Sequence, residues 1–189
     1  MAPAPDAVRP PAPLRMPAPR ALLAAFLLCL LGAGGLAVAR GPEPGGIEEL
    51  WMLLYGPPDL GPVDFATLTR RPGDALACAP DVCPRAAADL VPPTWPVAGA
   101  ALREVVRRVA AAEPDTELVF TDRWGEQDRF VARSRLMRFP DTVTVEIVGR
   151  GEGASTLALH ARGQVGAGLL SDNHARLARW LDGVRTILR

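Results

Sequence analysis

The chain has 189 residues, 49% apolar and 22% charged, a composition that favours one folded domain and argues against general disorder. Its 21 basic residues, all arginine, balance 21 acidic ones, but the part after Arg40 carries 17 arginines against 20 acids. A mildly acidic domain lacks the basic surface typical of nucleic-acid binding. The charge therefore predicts that nucleic acid is not a partner.

An apolar run, Ala21 to Ala39, contains nineteen residues without a charge and is just long enough to span a hydrocarbon core of about 30 Å. The same run resembles the apolar region of a secretory signal, because it ends in a small-x-small pattern at Ala39. A retained membrane anchor and a signal cleaved near Ala39 both fit, and the length of the run favours the anchor. Residues 1–20 are then a cytoplasmic segment or, with Met16 as the true start, mostly untranslated.

The charges on either side of this run predict its orientation. The arginines that precede it and the glutamates that follow it are Arg9, Arg15, Arg20, Glu43, Glu48 and Glu49. Because basic residues stay on the cytoplasmic side of a span, the domain is expected outside. We predict a bacterial inner-membrane protein with its domain in the periplasm, or a protein secreted to the periplasm after cleavage.

Residues 40–63 have the composition of a linker, rich in Gly and Pro at both ends. Within them, Ile47 to Tyr55 predicts a short helix, too short to span a membrane. Its Trp51 and Tyr55 are expected at the membrane interface, where amphipathic rings concentrate. The exported domain then covers residues 64–189.

Residues Arg71 to Pro96 form an irregular segment near the start of the domain, in which one strand is expected near Ala88 to Trp95. A helix follows from about Gly99 to Ala112, with an apolar stripe at i, i+3, i+4 and i+7 spacing. Its arginines, predicted to face away from the core, are Arg103, Arg107 and Arg108. A second amphipathic helix is predicted from about Asp172 to Leu188, with Ser171 or Asp172 as its N-cap.

Alternation of apolar and polar residues predicts strands between these two helices. They are Thr116 to Asp122, Arg129 to Leu136, Asp141 to Val148 and Ala154 to Arg162. Short Gly- and Pro-containing connections indicate antiparallel neighbours. The predicted fold is α+β: an antiparallel meander sheet of four to five strands, with both amphipathic helices packed on one face and a polar face open to solvent.

Three segments resemble a known family. They are Asp64 to Leu68, Ser134 to Val143, and the start of the last helix, where Asn173 and Arg176 form Asn-x-x-Arg. There the chain is similar to the domain of unknown function 1499 family, membrane-tethered proteins of proteobacteria. The resemblance covers residues 64–189 and implies the fold and the location, but no activity. It also makes Asn173 a candidate for ligand binding, although the family's preceding Asp and Gly are absent here.

Cys78 and Cys83 lie five positions apart in a Pro-rich loop. Outside the cytoplasm two such thiols are expected to form a local disulfide. Free thiols are the second alternative. A metal is the third, because zinc would need two more ligands and only His160 and His174 are available, far along the chain. We therefore predict no metal site and no cofactor.

The polar face of the predicted sheet collects Arg133, Arg135 and Arg162. Exposed charges of this kind usually only solvate a surface, but guanidinium groups also match carboxylate and phosphate geometry. The turn before the last helix carries Gly166 and Gly168, and a glycine-rich turn before free helix N–H groups can hold an anion. A flexible connection is the alternative interpretation of that turn.

These patterns leave three functional hypotheses. The first is a non-catalytic envelope domain that binds a partner protein or an anionic ligand, such as an acidic lipid, through the arginines. The second is a hydrolase-like enzyme that uses His160 with Glu146. The third is a structural accessory of a membrane complex. A pocket with His160 and Glu146 within hydrogen-bond reach would favour the enzyme.

Overall fold

The structure, a computed structural model, describes residues 19–124, 127–165 and 172–189. The chain divides after Leu36 into two compact units. The first contains most of helix α1 (Pro19–Arg40), whose 22 residues extend about 33 Å and include no buried side chain. The helix is long and apolar enough to cross a membrane, which is compatible with either an anchor or a signal sequence.

The second unit, residues 37–189, contains an antiparallel sheet. Its described elements are α2 (Ile47–Tyr55), β1 (Ala75–Ala77), α3 (Gly99–Ala112), β2 (Thr116–Thr121), β3 (Gln127–Arg133), β4 (Pro140–Gly149), β5 (Ser155–Gly163) and α4 (Asn173–Ile187). The strand order is β1-β5-β4-β3-β2, so that β2 to β5 form a meander and β1 adds to β5. The predicted α+β fold is confirmed.

Helices α3 and α4 cover one face of the sheet, as their apolar stripes predict. Leu102 and Val106 of α3 meet Leu177 and Trp180 of α4 in a core that also contains the inward side chains of the strands. The ring of Trp180 contacts Phe130 edge-on, with 5.4 Å between centroids. The helices approach closely at Gly183, where an added Cβ would lie 3.0 Å from Val109.

The opposite face of the sheet is not open to solvent, contrary to the prediction. The segments 57–74 and 78–88, which flank β1 and are together called the arm below, fold over it. A second apolar cluster fills the space between them: Val63, Phe65, Leu68, Leu76, Cys78, Cys83 and Ala158. The predicted alternation of apolar and polar residues along the strands is correct. The polar face of a sheet can still be buried when its polar groups form hydrogen bonds with a segment that covers it.

Two of the arginines predicted to face away from the core, Arg103 and Arg107, instead converge on Asp128 of β3. Asp128 shares the helix face of the sheet with Phe130, and its side chain is 2% exposed. Arg103 Nη2 and Arg107 Nε lie 2.7 and 2.9 Å from its carboxylate. Arg103 and Arg107, which the sequence pattern places on a solvated face, therefore attach α3 to the sheet through Asp128.

Three boundaries also differ from the prediction. Strand β3 ends at Arg133, because the segment 134–139 closes on itself through hydrogen bonds between Ser134 and Phe139. No strand forms near residues 88–95 in this described part of the chain; Leu90 and Trp95 make isolated bridges instead. Residues 47–63, predicted as part of a linker, belong to the packed unit, in which Ile47 is 3% exposed.

Candidate functional site

The arginines predicted to form a ligand face are separated by the fold. Arg133 ends β3 and pairs with Glu48 at 2.9 Å and, more weakly, with Glu117. Arg135 does not lie on the sheet, since it follows the end of β3 in an exposed turn, and no contact of its side chain is found among the described residues. The prediction that Arg133, Arg135 and Arg162 share one open surface is therefore wrong.

Arg162 does lie on the face that the arm covers, opposite Thr142 of β4. Its guanidinium donates to the carbonyl oxygens of Leu60 and Gly61 and to Thr144 Oγ1. Burial lowers the pKa of Arg162; the nearby cations of Arg71 and Arg129 add to this effect, and Asp74 and Asp59 oppose it. Arg162 thus holds the arm while remaining incompletely compensated.

The last predicted group lies around the start of α4. Gly166 and Gly168 lie outside the described residues, as does Ser171. Asn173 is 2% exposed, and its Oδ1 accepts a hydrogen bond from Arg176, which pairs with Asp141 at 2.9 Å. Burial raises the pKa of Asp141, although Arg176 opposes this. Asn173 is therefore part of a buried network between α4 and β4.

A cleft of about 430 Å³ lies between the arm and β5. The lining side chains are Leu60, Pro62, Val63, Asp64, Thr67, Leu68, Thr69, Arg71, Asp74, His160 and Arg162. Strand register explains how distant residues meet there: Leu76 lies opposite His160, so Asp74 at the start of β1 reaches the same end of β5 as Arg162. The arm had no periodic signal, and its part in this cleft could not be inferred from the sequence.

The two carboxylates of the cleft are already occupied. Asp64 accepts hydrogen bonds from the Ala66 amide and from Thr67 Oγ1, and these bonds hold its pKa below the usual range. Asp74 accepts one from the Arg71 amide. Burial opposes ionisation of Asp74, but the neighbouring His160 ring and the Arg71 amide outweigh it and lower the pKa of the carboxyl.

The basic groups of the cleft retain free hydrogen-bonding capacity. The Arg71 side chain is 61% exposed, and its Nε lies 3.8 Å from Asp74, beyond hydrogen-bond distance. Arg162 Nε and His160 Nδ1 are buried and have no hydrogen-bond partner among the described residues. The exposed Arg71 guanidinium can therefore donate hydrogen bonds to a ligand, whereas Arg162 Nε and His160 Nδ1 are buried beneath the surface of the cleft. The two carboxylates already accept hydrogen bonds and have little remaining capacity to bind a cation.

His160 pairs with a different carboxylate from the one predicted. Its Nε2 lies 3.3 Å from Asp74 Oδ2, close enough for an electrostatic contact although not aligned for a hydrogen bond. Glu146 lies opposite Ala158 rather than His160 and accepts a hydrogen bond from Gln127. The predicted His160–Glu146 pair is wrong because the partner is Asp74, which lies just before β1, a strand that the sequence did not indicate.

Cys78 and Cys83 form a disulfide in the arm. Both residues are almost fully buried within the second apolar cluster. The bond closes a short loop beside β1, the strand that carries Asp74 into the cleft. Its position is that of a structural link rather than of an exposed reactive pair.

Comparison with known proteins adds nothing to this geometry. No family model, no curated protein and no solved structure matches the chain. The resemblance to the domain of unknown function 1499 family stays a prediction.

Proposed function

We propose that the domain is a non-catalytic binding module that holds a small anionic ligand, bearing a carboxylate or a phosphate, in the cleft between the arm and β5. The observation that carries this proposal is the asymmetry of the cleft: Asp64 and Asp74 accept hydrogen bonds, while the exposed Arg71 side chain donates none to the described residues. An anion would accept hydrogen bonds from Arg71 and would offset the incompletely compensated charge of the neighbouring Arg162.

The proposed location of the domain is the outer side of a bacterial inner membrane, with α1 as the anchor. We also propose that the chain belongs to the domain of unknown function 1499 family. The arginines before α1 favour this orientation. The disulfide Cys78–Cys83 fits an oxidising compartment. In this setting the cleft would sample ligands of the periplasm rather than of the cytoplasm.

An enzyme is the second candidate, and the contact between His160 and Asp74 is the observation that favours it. A general base must reach the proton that it abstracts. Both ring nitrogens of His160 are buried without a hydrogen-bond partner, and His160 is 1% exposed. This geometry favours binding over catalysis. A structural accessory role, the third candidate, predicts no ligand in the cleft at all.

Arg71→Gln tests the proposal, because this side chain is exposed and its loss should leave the fold intact. We expect the affinity of the full-length protein for inorganic phosphate, measured by titration calorimetry in detergent, to fall about tenfold, the effect of losing one charge-assisted hydrogen bond. Succinate, a dicarboxylate, should show the same loss if its carboxylates bind the same donors.

Arg108→Gln is the matched control, since Arg108 is an exposed arginine of α3 outside the cleft. Its affinity for both anions should equal that of the wild-type protein. Equal losses in the two variants would reveal a non-specific charge effect. Absence of binding by the wild-type protein would favour the structural role, which native mass spectrometry could then test by showing a co-purified subunit.

A further inference from the structure

Helix α2 is fastened to the domain by three different contacts. The Glu48 carboxylate binds Arg133 Nε at 2.9 Å and Arg138 Nε at 2.7 Å. The indole Nε1 of Trp51 donates to the Met137 carbonyl at 2.6 Å. Beyond the C-terminus of the helix, Gln164 donates to the carbonyl oxygens of residues 55–57. Helix α2 therefore has a fixed orientation on the domain.

The loop after β3, residues 134–139, contacts α2. Arg138 has a φ of 54°, a left-handed conformation that is costly for a residue with a β-carbon. Its side chain forms ion pairs with both Glu48 and Asp115. The next residue, Phe139, packs against the Trp51 ring with 4.9 Å between centroids. The Trp51 ring is thus directed into the domain. Its sequence context predicts instead a position at the membrane interface.

The face of α2 that points away from the domain carries three leucines beside the exposed Glu49. Leu50, Leu53 and Leu54 follow the i, i+3, i+4 spacing of a single helix face, and they are 38, 82 and 59% exposed. We call these three residues the outer face of α2. Leu136, in the loop that holds Trp51, is a further leucine with 71% exposure. A row of exposed leucines on a firmly held helix indicates a surface with a partner.

The chain itself indicates which partner this is. Only residues 41–46 separate the end of α1 from the start of α2, and a segment of that length reaches at most about 25 Å. Helix α2 is therefore confined near the end of the apolar span, where the lipid headgroups begin. The Glu48 carboxylate is neutralised by two arginines. The exposed Glu49 carboxylate, one turn before Leu53, accepts a hydrogen bond from the Gly45 amide just before the helix.

We infer that the outer face of α2 docks into the lipid interface of the membrane that holds α1, and so fixes the orientation of the domain on the bilayer. The interaction is hydrophobic, and a zwitterionic lipid surface is sufficient for it because the outer face has no basic residues. This inference uses the anchor but not the ligand in the cleft, so either can fail without the other.

Spin labels on the full chain in phosphatidylcholine vesicles test the inference. In a Cys29→Ser background, which leaves the disulfide in place, Leu53→Cys and Leu54→Cys place nitroxides on the outer face. Val91→Cys, at an apolar position with 59% exposure just after the arm, is the control. We expect the labels at 53 and 54 to collide several-fold more with oxygen, relative to a water-soluble nickel complex, than the label at 91.

The collision ratios at 53 and 54 should not change with high salt or with added anionic lipid. Ratios equal to that at position 91 would place the outer face in water and overturn the inference. Labels shielded from both oxygen and nickel would show that a second copy of the chain covers the helix, and would also overturn it. A ratio that rises only with anionic lipid would contradict the hydrophobic basis.

Discussion

The ion-pair cluster at Asp128 makes the stability of this domain depend on pH in a way that can be calculated. The carboxylate is buried beneath α3, which opposes ionisation, but Arg103 and Arg107 lower its pKa from 3.8 to about 2. A pKa that is lower in the folded protein means that the ionised form stabilises the fold. This contribution is fully present above pH 3.8 and is lost as the pH falls through about 2.

The magnitude follows from the two pKa values, since a tenfold change in proton affinity corresponds to about 1.4 kcal/mol. Ionisation of Asp128 therefore contributes about 2 kcal/mol to the free energy of unfolding at pH 7, and roughly half as much at pH 3. Asp128→Asn removes the charge with little change of shape. The loss of stability caused by this variant should be at least about 2 kcal/mol at pH 7, because two arginines lose their partner.

Urea unfolding of the detergent-solubilised full chain, followed by tryptophan fluorescence, measures this difference because Trp180 lies in the core. Asp182→Asn is the control: its carboxylate forms an exposed ion pair with Arg185 within α4, so it should change stability little at either pH. If the deficit of Asp128→Asn is the same at pH 7 and pH 3, the carboxylate is not held ionised by the arginines and the argument is refuted.

Two further predictions concern the core and the arm. Trp180→Ala should lower the free energy of unfolding by about 3–5 kcal/mol, since the indole is 1% exposed between α3, α4 and the sheet; an unchanged urea midpoint would mean that α4 is not packed as described. Cys78 and Cys83 in protein isolated from the envelope should resist a maleimide under denaturing conditions until they are reduced; labelling of both thiols without reduction would contradict export to an oxidising compartment.

Periodicity predicted the elements whose stability comes from one apolar stripe or face. Helix α3 is bounded by the predicted residues Gly99 and Ala112, and the four strands of the meander were all anticipated. Such elements bury their apolar side against a neighbour, so the pattern of the core is present in the local sequence. Strand β1 is different, because its three residues Ala75–Ala77 are too few to show any period.

The candidate site depended on contacts that a local pattern does not contain. His160 was named in the sequence only as a partner of Glu146, whereas its neighbour Asp74 and the covering residues of the arm come from irregular segments. Arg129 is only 7% exposed because Asp59 of the arm binds it through both carboxylate oxygens. Long-range ion pairs of this kind determine which polar residues are buried. The periodicity of the sequence does not indicate such pairs.

Residues 56–60 connect helix α2 to the wall of the cleft. After α2 ends at Tyr55, Thr142 Oγ1 binds the Pro58 carbonyl and the Leu60 amide, while Arg129 holds Asp59. Leu60, the first wall residue of the cleft, lies five positions beyond Tyr55 and therefore within about 18 Å of it. Because this segment is bonded to the sheet at successive residues, docking of α2 would set the height of the cleft above the bilayer. A ligand that reaches the cleft would then be held at a defined distance from the lipid surface.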